Sequence, residues 1–218
     1  MRSTAPPTYS TDPASEFDAL ALEVYSTNLT LTDEQIPIAN YWADSAGATG
    51  TPPGHWIAIM GQLARRDRLS LMAAAEGYVR VGLAVADAFI GCWRTKYLYN
   101  LLRPVTYIQE LVDPDWVPIL VTPSFPSYTS GHSTQSGAVA TVRTDQFGVL
   151  AFTDTMHSDH GLTPPQTPRP FTSFDEAAEE SAVSRLYFGI HYPFDNDNGL
   201  AQGRCIGQII LERIAFRR

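Results

Sequence analysis

The sequence predicts an all-α protein, a helical bundle with long ordered loops that carry anion-binding motifs. Three observations predict it. Apolar residues recur at helical spacing, above all from Ser70 to Leu102. Capping-box patterns open two of the segments, at Thr32-Asp33-Glu34-Gln35 and at Ser173-Phe174-Asp175-Glu176. Proline-rich stretches, too interrupted for long regular elements, separate the helical segments.

Residues 1–15, rich in Ser, Thr and Pro, read as a flexible lead, and residues 16–218 as one helical domain. A chain of 218 residues is long enough to bury a sizeable core in a single domain. The first helix is expected from Ser15 to Thr27 and the second from the Thr32 cap to about Trp42. Gly47 to Pro53 is a turn-rich break, after which Pro53-Gly54 leads into a helix through Ile57, Met60 and Leu63. The run Ser70 to Leu102 is apolar on several sides, which suits the centre of a bundle. Pro104 ends it, because proline lacks an amide and restricts the residue before it. Pro114, Pro118, Pro123 and Pro126 make residues 105–130 an ordered loop. A helix resumes at Gly131 and runs to about Phe147, a short strand covers Val149 to Thr153, and residues 154–172 are loop. The last two helices span Ser173 to about Gly189 and Asn198 to Phe216.

The net charge of -8 disfavours nucleic acid and anionic lipid as partners. No stretch reaches the roughly 20 apolar residues of a membrane span, and no secretory signal is visible at the N-terminus. Cys92 and Cys205 form neither a disulfide framework nor a zinc signature, and Cys92 reads as a small core residue.

Against that acidic background, three short stretches concentrate cations and histidines. They read K-x6-R-P from Lys96 to Pro104, P-S-Y-T-S-G-H from Pro126 to His132, and S-R-x5-H-x3-D from Ser184 to Asp195. Lys96 and Arg103 are seven apart, close to two helical turns, which puts both on one side of a continuous helix. Arginine offers a planar fork for two oxyanion oxygens and lysine a movable point charge. Ser130-Gly131-His132 stands where a loop enters a helix, and free amides there bind anions. His132 is placed to exchange a proton with the same anion. Arg185 adds a third cation. His191 serves as a nucleophile toward phosphorus or as an axial ligand to a metal oxyanion, with Asp195 fixing its tautomer. The inventory suits a tetrahedral oxyanion, phosphate or vanadate. Other candidates are weaker: His157 and His160 lack further zinc ligands, and Asp195 to Gly199 lacks the distal glutamate of a calcium loop.

The three motifs together resemble those of the type 2 phosphatidic-acid phosphatase superfamily, and the vanadium-dependent haloperoxidases are the nearer branch. Tyr41-Trp42-Ala43-Asp44, Gly50-Thr51-Pro52-Pro53-Gly54, Trp93 and Phe125-Pro126-Ser127-Tyr128 carry the branch likeness, which covers about residues 36–207. The resemblance implies a vanadate cofactor, with phosphate able to occupy the same site. It implies that Lys96, Arg103, Ser130, Gly131, His132 and Arg185 hold the oxyanion, that His191 bonds the metal, and that His132, His191, Lys96 and Asp195 are catalytic. Trp93 and Phe125 would wall a halide pocket, and Asp44 would pair with Arg185. The implied reaction is oxidation of a halide by hydrogen peroxide to hypohalous acid. Two other readings stay open: an acid phosphatase acting on phosphate esters through a histidine nucleophile, and a non-catalytic oxyanion-binding remnant. Thr129 stands where many members have proline. Haloperoxidases of this kind carry a further N-terminal helical region, so either a homodimer or a truncated chain is expected.

Overall fold

The structure, a computed structural model, describes residues 4–216. In chain order its helices are α1 (Glu16–Leu29), α2 (Gln35–Tyr41), α3 (Thr51–Arg66), α4 (Leu71–Tyr99), α5 (Pro104–Leu111) and α6 (Gly131–Phe147). The strand β1 (Phe152–Asp154), α7 (Met156–Asp159), the strand β2 (Arg169–Phe171), α8 (Phe174–Tyr187) and α9 (Pro193–Arg213) complete it. The two strands pair antiparallel, Phe152 opposite Phe171 and Asp154 opposite Arg169. Among the described residues no helix is long and apolar enough to cross a membrane.

Side-chain caps start the helices where the sequence has Ser before a periodic run. Ser15, Ser70, Ser130 and Ser173 accept from the backbone N–H of Asp18, Ala73, Ser133 and Glu176. At Thr32 the capping-box exchange is reciprocal: Thr32 N donates to Gln35 Oε1 at 3.0 Å and Gln35 N to Thr32 Oγ1 at 3.3 Å. Residues 4–15 carry no helix or strand, but Tyr9 packs edge-on against Phe17 and Tyr107, and the Ser10 carbonyl accepts from the Tyr107 hydroxyl.

Four expected element bounds need correction. The long helix stops at Tyr99, where Asn100 turns left-handed (φ 47°), and not at Pro104. Pro104 instead begins α5, since a proline at the first helical position has no amide to waste and a φ already suited to helix. Eight residues of α5 therefore fit inside a stretch expected to be loop, ending before Pro114. The 154–172 loop likewise contains α7 and β2, with β1 shifted toward Asp154. Finally α9 starts at Pro193, five residues early, so Asp195 lies in its first turn.

The helix at the centre is α6 rather than α4. Residues 133–140 of α6 are all buried, and the helix packs against α4, α8 and α9. Its small Ser, Thr, Gly and Ala side chains let neighbours approach from every side. At the α6–α9 crossing a Cβ built on Gly203 would stand 2.0 Å from the Thr134 carbonyl oxygen, and one on Gly137 2.6 Å from that of Leu200. This close approach also joins two motifs: Ser130 N donates to the Asp195 carbonyl at 2.9 Å. By contrast α4 buries one face, with Val81, Ala84, Ala88, Cys92 and Lys96, and leaves Met72, Val79, Ile90 and Leu98 exposed.

Candidate functional site

The three motifs converge where the C-terminal end of α4, the start of α5, the N-terminus of α6 and the α8–α9 junction meet. Arg103 does not reach the site along α4. It is the extended residue before Pro104, brought back by the reversal at Asn100. Its Nε donates to the Phe125 carbonyl and its Nη1 to the Ile190 carbonyl, each at 2.8 Å. Nη1 also lies 3.1 Å from His191 Nε2, while Nη2 is buried with no hydrogen-bond partner. Lys96 is 1 % exposed, and its Nζ donates to the carbonyls of Pro126 (2.9 Å) and Ser127 (2.8 Å), leaving one N–H unused.

At the head of α6, Ser130 Oγ takes hydrogen bonds from Ser133 N and Ser133 Oγ, so its own hydroxyl hydrogen remains for another acceptor. The first amides of a helix have no intrahelical acceptor, and among the described residues none is found for Gly131 N–H or His132 N–H. Arg185, in the last turn of α8, is buried with Nε on Ser184 Oγ and Nη2 on the Trp42 carbonyl. The Trp93 and Phe125 rings pack with centroids 4.8 Å apart, and Phe125 lies under both the Arg103 guanidinium (4.9 Å) and the Lys96 ammonium (5.2 Å).

His191 Nδ1 lies 2.8 Å from Asp195 Oδ2, so the carboxylate holds the proton on Nδ1 and turns the Nε2 lone pair toward Arg103. Ser127, which lies in the Pro126–His132 motif but is given no role there by the sequence, donates to the same Asp195 oxygen.

Electrostatically the pocket has a surplus of cations. Burial pushes Lys96 down to about 8, with Arg103 adding to the effect. Burial also lowers Arg103 and Arg185 to about 10, where both stay charged at neutral pH. Burial first, then Arg103, Lys96 and Arg185, hold His191 well below the usual imidazole range, so its ring is neutral. His132 is pushed down to about 4 by burial and by Arg185, with Asp44 opposing. Burial raises Asp195 to about 6 against the pull of Ser127 and the cations. A buried oxyanion would relieve each of the cation shifts.

Asp44 does not pair with Arg185 as expected. Its Oδ1 accepts from Thr49 Oγ1 (2.9 Å) and meets His55 Nδ1 (2.7 Å), while its Oδ2 faces His132 Nε2 at 3.3 Å. Arg185 instead spends its bonds on Ser184 and the Trp42 carbonyl, and Asp44 acts on it only through space. His55 carries no sequence signal beyond following the Gly50–Gly54 segment, and its second partner Asp154 carries none.

The chain has counterparts among known proteins. The family model described as the VCPO second helical-bundle domain matches residues 77–114 and 111–217. The vanadium chloroperoxidase of Curvularia inaequalis is 25% identical over 214 residues, covering 71% of this chain and 35% of that protein. Among solved structures, one described as the first bacterial vanadium-dependent iodoperoxidase superposes with a TM-score of 0.91 at 37% identity, over 98% of this chain and 52% of that one. A holo-type bacterial vanadium-dependent chloroperoxidase superposes with a TM-score of 0.71 at 18% identity, over 89% of this chain and 47% of that one, a likeness of fold alone. The chain thus spans about half the length of these solved relatives and about a third of the curated one. The chain belongs to the vanadium chloroperoxidase family, whose second helical-bundle domain is matched by its residues 77–217.

Proposed function

We propose that this chain forms the vanadate site of a haloperoxidase, where hydrogen peroxide oxidises a halide to hypohalous acid. One observation carries the reading: His191, with Nδ1 on Asp195 and Nε2 3.1 Å from Arg103 Nη1, stands in a buried, cation-rich site where Arg103 Nη2 has no hydrogen-bond partner. The residues present fit vanadate. Arg103 Nη2, the free Lys96 N–H, the Ser130 hydroxyl and the Gly131 and His132 amides form a donor set for a tetrahedral oxyanion, and His191 Nε2 offers one ligand to the metal.

When bound, vanadate supplies the Lewis acidity that activates hydrogen peroxide toward halide. The protein residues do the rest. Lys96, Arg103 and Arg185 draw charge from the oxyanion in a site of low dielectric. Asp195 holds the His191 tautomer through Nδ1, and Ser127 holds Asp195. Halide oxidation consumes a proton as halide and peroxide become hypohalous acid and water, and His132 is the group placed to take one up and relay it. Trp93 and Phe125 wall the halide side and exclude water from the cations. The same His191 lone pair would serve a phosphatase as nucleophile, so one experiment covers both readings.

The purified protein is stripped of phosphate, loaded with orthovanadate, and assayed for bromide and iodide oxidation beside hydrolysis of an aryl phosphate. Vanadate-dependent halide oxidation is expected, and His191→Ala should lose vanadate retention. Hydrolysis inhibited by vanadate, without halide oxidation, would move the assignment to an acid phosphatase. Neither activity, with oxyanion still tightly held, would leave a binding remnant.

A further inference from the structure

Behind the anion pocket lies a second buried charge cluster that no step above uses. His55, in the first turns of α3, is 0 % exposed. Its two ring nitrogens meet two different carboxylates, Nδ1 with Asp44 Oδ1 at 2.7 Å and Nε2 with Asp154 Oδ2 at 2.6 Å. Both carboxylates are otherwise engaged as acceptors. Asp44 Oδ1 takes the Thr49 hydroxyl, and Asp154 Oδ1 takes Gln62 Nε2 and Met156 N, each bond at 2.9 Å. A neutral imidazole donates from one nitrogen only and would set its other lone pair against a carboxylate. The imidazolium satisfies both. The Trp42 ring stacks on His55 at 4.5 Å between centroids, a favourable neighbour for a cation.

The cluster touches the catalytic group at one point. Asp44 Oδ2 and His132 Nε2 are each buried and without a hydrogen-bond partner, and they face one another at 3.3 Å. No protein group is bonded to His132 Nδ1 among the described residues.

We infer that His55 is a positioning residue: locked as an imidazolium between Asp154 and Asp44, it holds Asp44 charged and aimed at His132 Nε2. The proton of neutral His132 is thereby kept on Nε2, and Nδ1 becomes the nitrogen that exchanges protons with a bound oxyanion. The chain of contacts runs Asp154, His55, Asp44, His132. The ring charge follows from the paired carboxylates: although burial works to lower it, Asp44 and Asp154 raise His55 to about 10. Asp44 itself is brought well below the usual carboxylate range, burial opposing and His55 and His132 prevailing.

This inference deepens the proposed acid–base role of His132, but it holds equally for halide oxidation and phosphate hydrolysis. Its test reads protonation rather than turnover. The five histidines make assignment by single His→Gln variants practical. Ring ¹⁵N signals are recorded on the phosphate-loaded protein at about pH 8, near the middle of the range between ordinary imidazole and His55. The expected result is two protonated nitrogens on His55 and an Nε2–H tautomer on His132. In His55→Gln, or in the milder Asp154→Asn, His132 should become a mixture of tautomers. A neutral His55 in the wild-type protein would overturn the inference even if neither variant folds. So would an unchanged His132 tautomer in a folded His55→Gln. Loss of halide oxidation elsewhere, with these signals intact, would fault the proposed function and leave the inference standing.

Discussion

Two buried charge clusters lie side by side in this protein, and they are built on opposite plans. In the Asp44–His55–Asp154 cluster each charge has an opposite charge within hydrogen-bond distance, so the carboxylates are held low and the imidazole high. In the anion pocket Lys96, Arg103 and Arg185 are buried mainly against carbonyls, and burial drives all three down. Matched buried charges brace a structure. Unmatched ones are what a bound counter-ion would neutralise.

The largest expected effect tests the matched side. His55→Gln leaves two buried carboxylates without their cation and should cost about 3–5 kcal/mol of stability, measured by urea unfolding. A loss below about 1 kcal/mol would mean that the carboxylates escape to water and the cluster braces nothing. The unmatched side should respond to ligand instead. Orthovanadate or phosphate at about 100 times its dissociation constant should stabilise the folded chain by about 2.7 kcal/mol, seen as a rise in Tm. No rise with either anion would show that the pocket cations are neutralised some other way.

The smallest effect separates the two clusters by pH. His55 is raised from 6.5 to about 10, so its contribution is full below about pH 6.5 and is lost as pH climbs toward 10. Lys96 is lowered from 10.5 to about 8, so its burial cost is relieved only between about pH 8 and 10.5. His132 and His191 are lowered, and their contribution is already complete by about pH 6.5. Between about pH 6.5 and 8 stability should therefore fall, by about 1–2 kcal/mol, and the slope should vanish in His55→Gln. A flat or rising profile there would contradict the charged state assigned to His55.

The two clusters also differed in how visible they were beforehand. The pocket was legible because its residues fall in three short spans with chemically telling neighbours, such as Ser130-Gly131-His132 at a helix start. The Asp44–His55–Asp154 cluster was not, because His55 and Asp154 are 99 positions apart and each alone is an unremarked polar residue. The resemblance implies Arg185 as the partner of Asp44, but His55 meets one of its oxygens and His132 faces the other. In the fold, Ser caps mark four of the nine described helix starts, those of α1, α4, α6 and α8. α5 was missed because proline signals a helix start as readily as a stop. The central place of α6 was hidden by its weak hydropathy, since closeness of approach there comes from small side chains.

From the residues alone came the helical class, the anion-binding inventory and the chemistry it permits, because caps, periodicity and side-chain type are local properties. Tertiary structure decided which nitrogen of His191 faces the pocket, how the reversal at Asn100 delivers Arg103, and which carboxylate meets His132. Those outcomes depend on distances between segments far apart in the chain. They are set by how closely glycine-lined helices such as α6 and α9 can pack, which no single segment encodes.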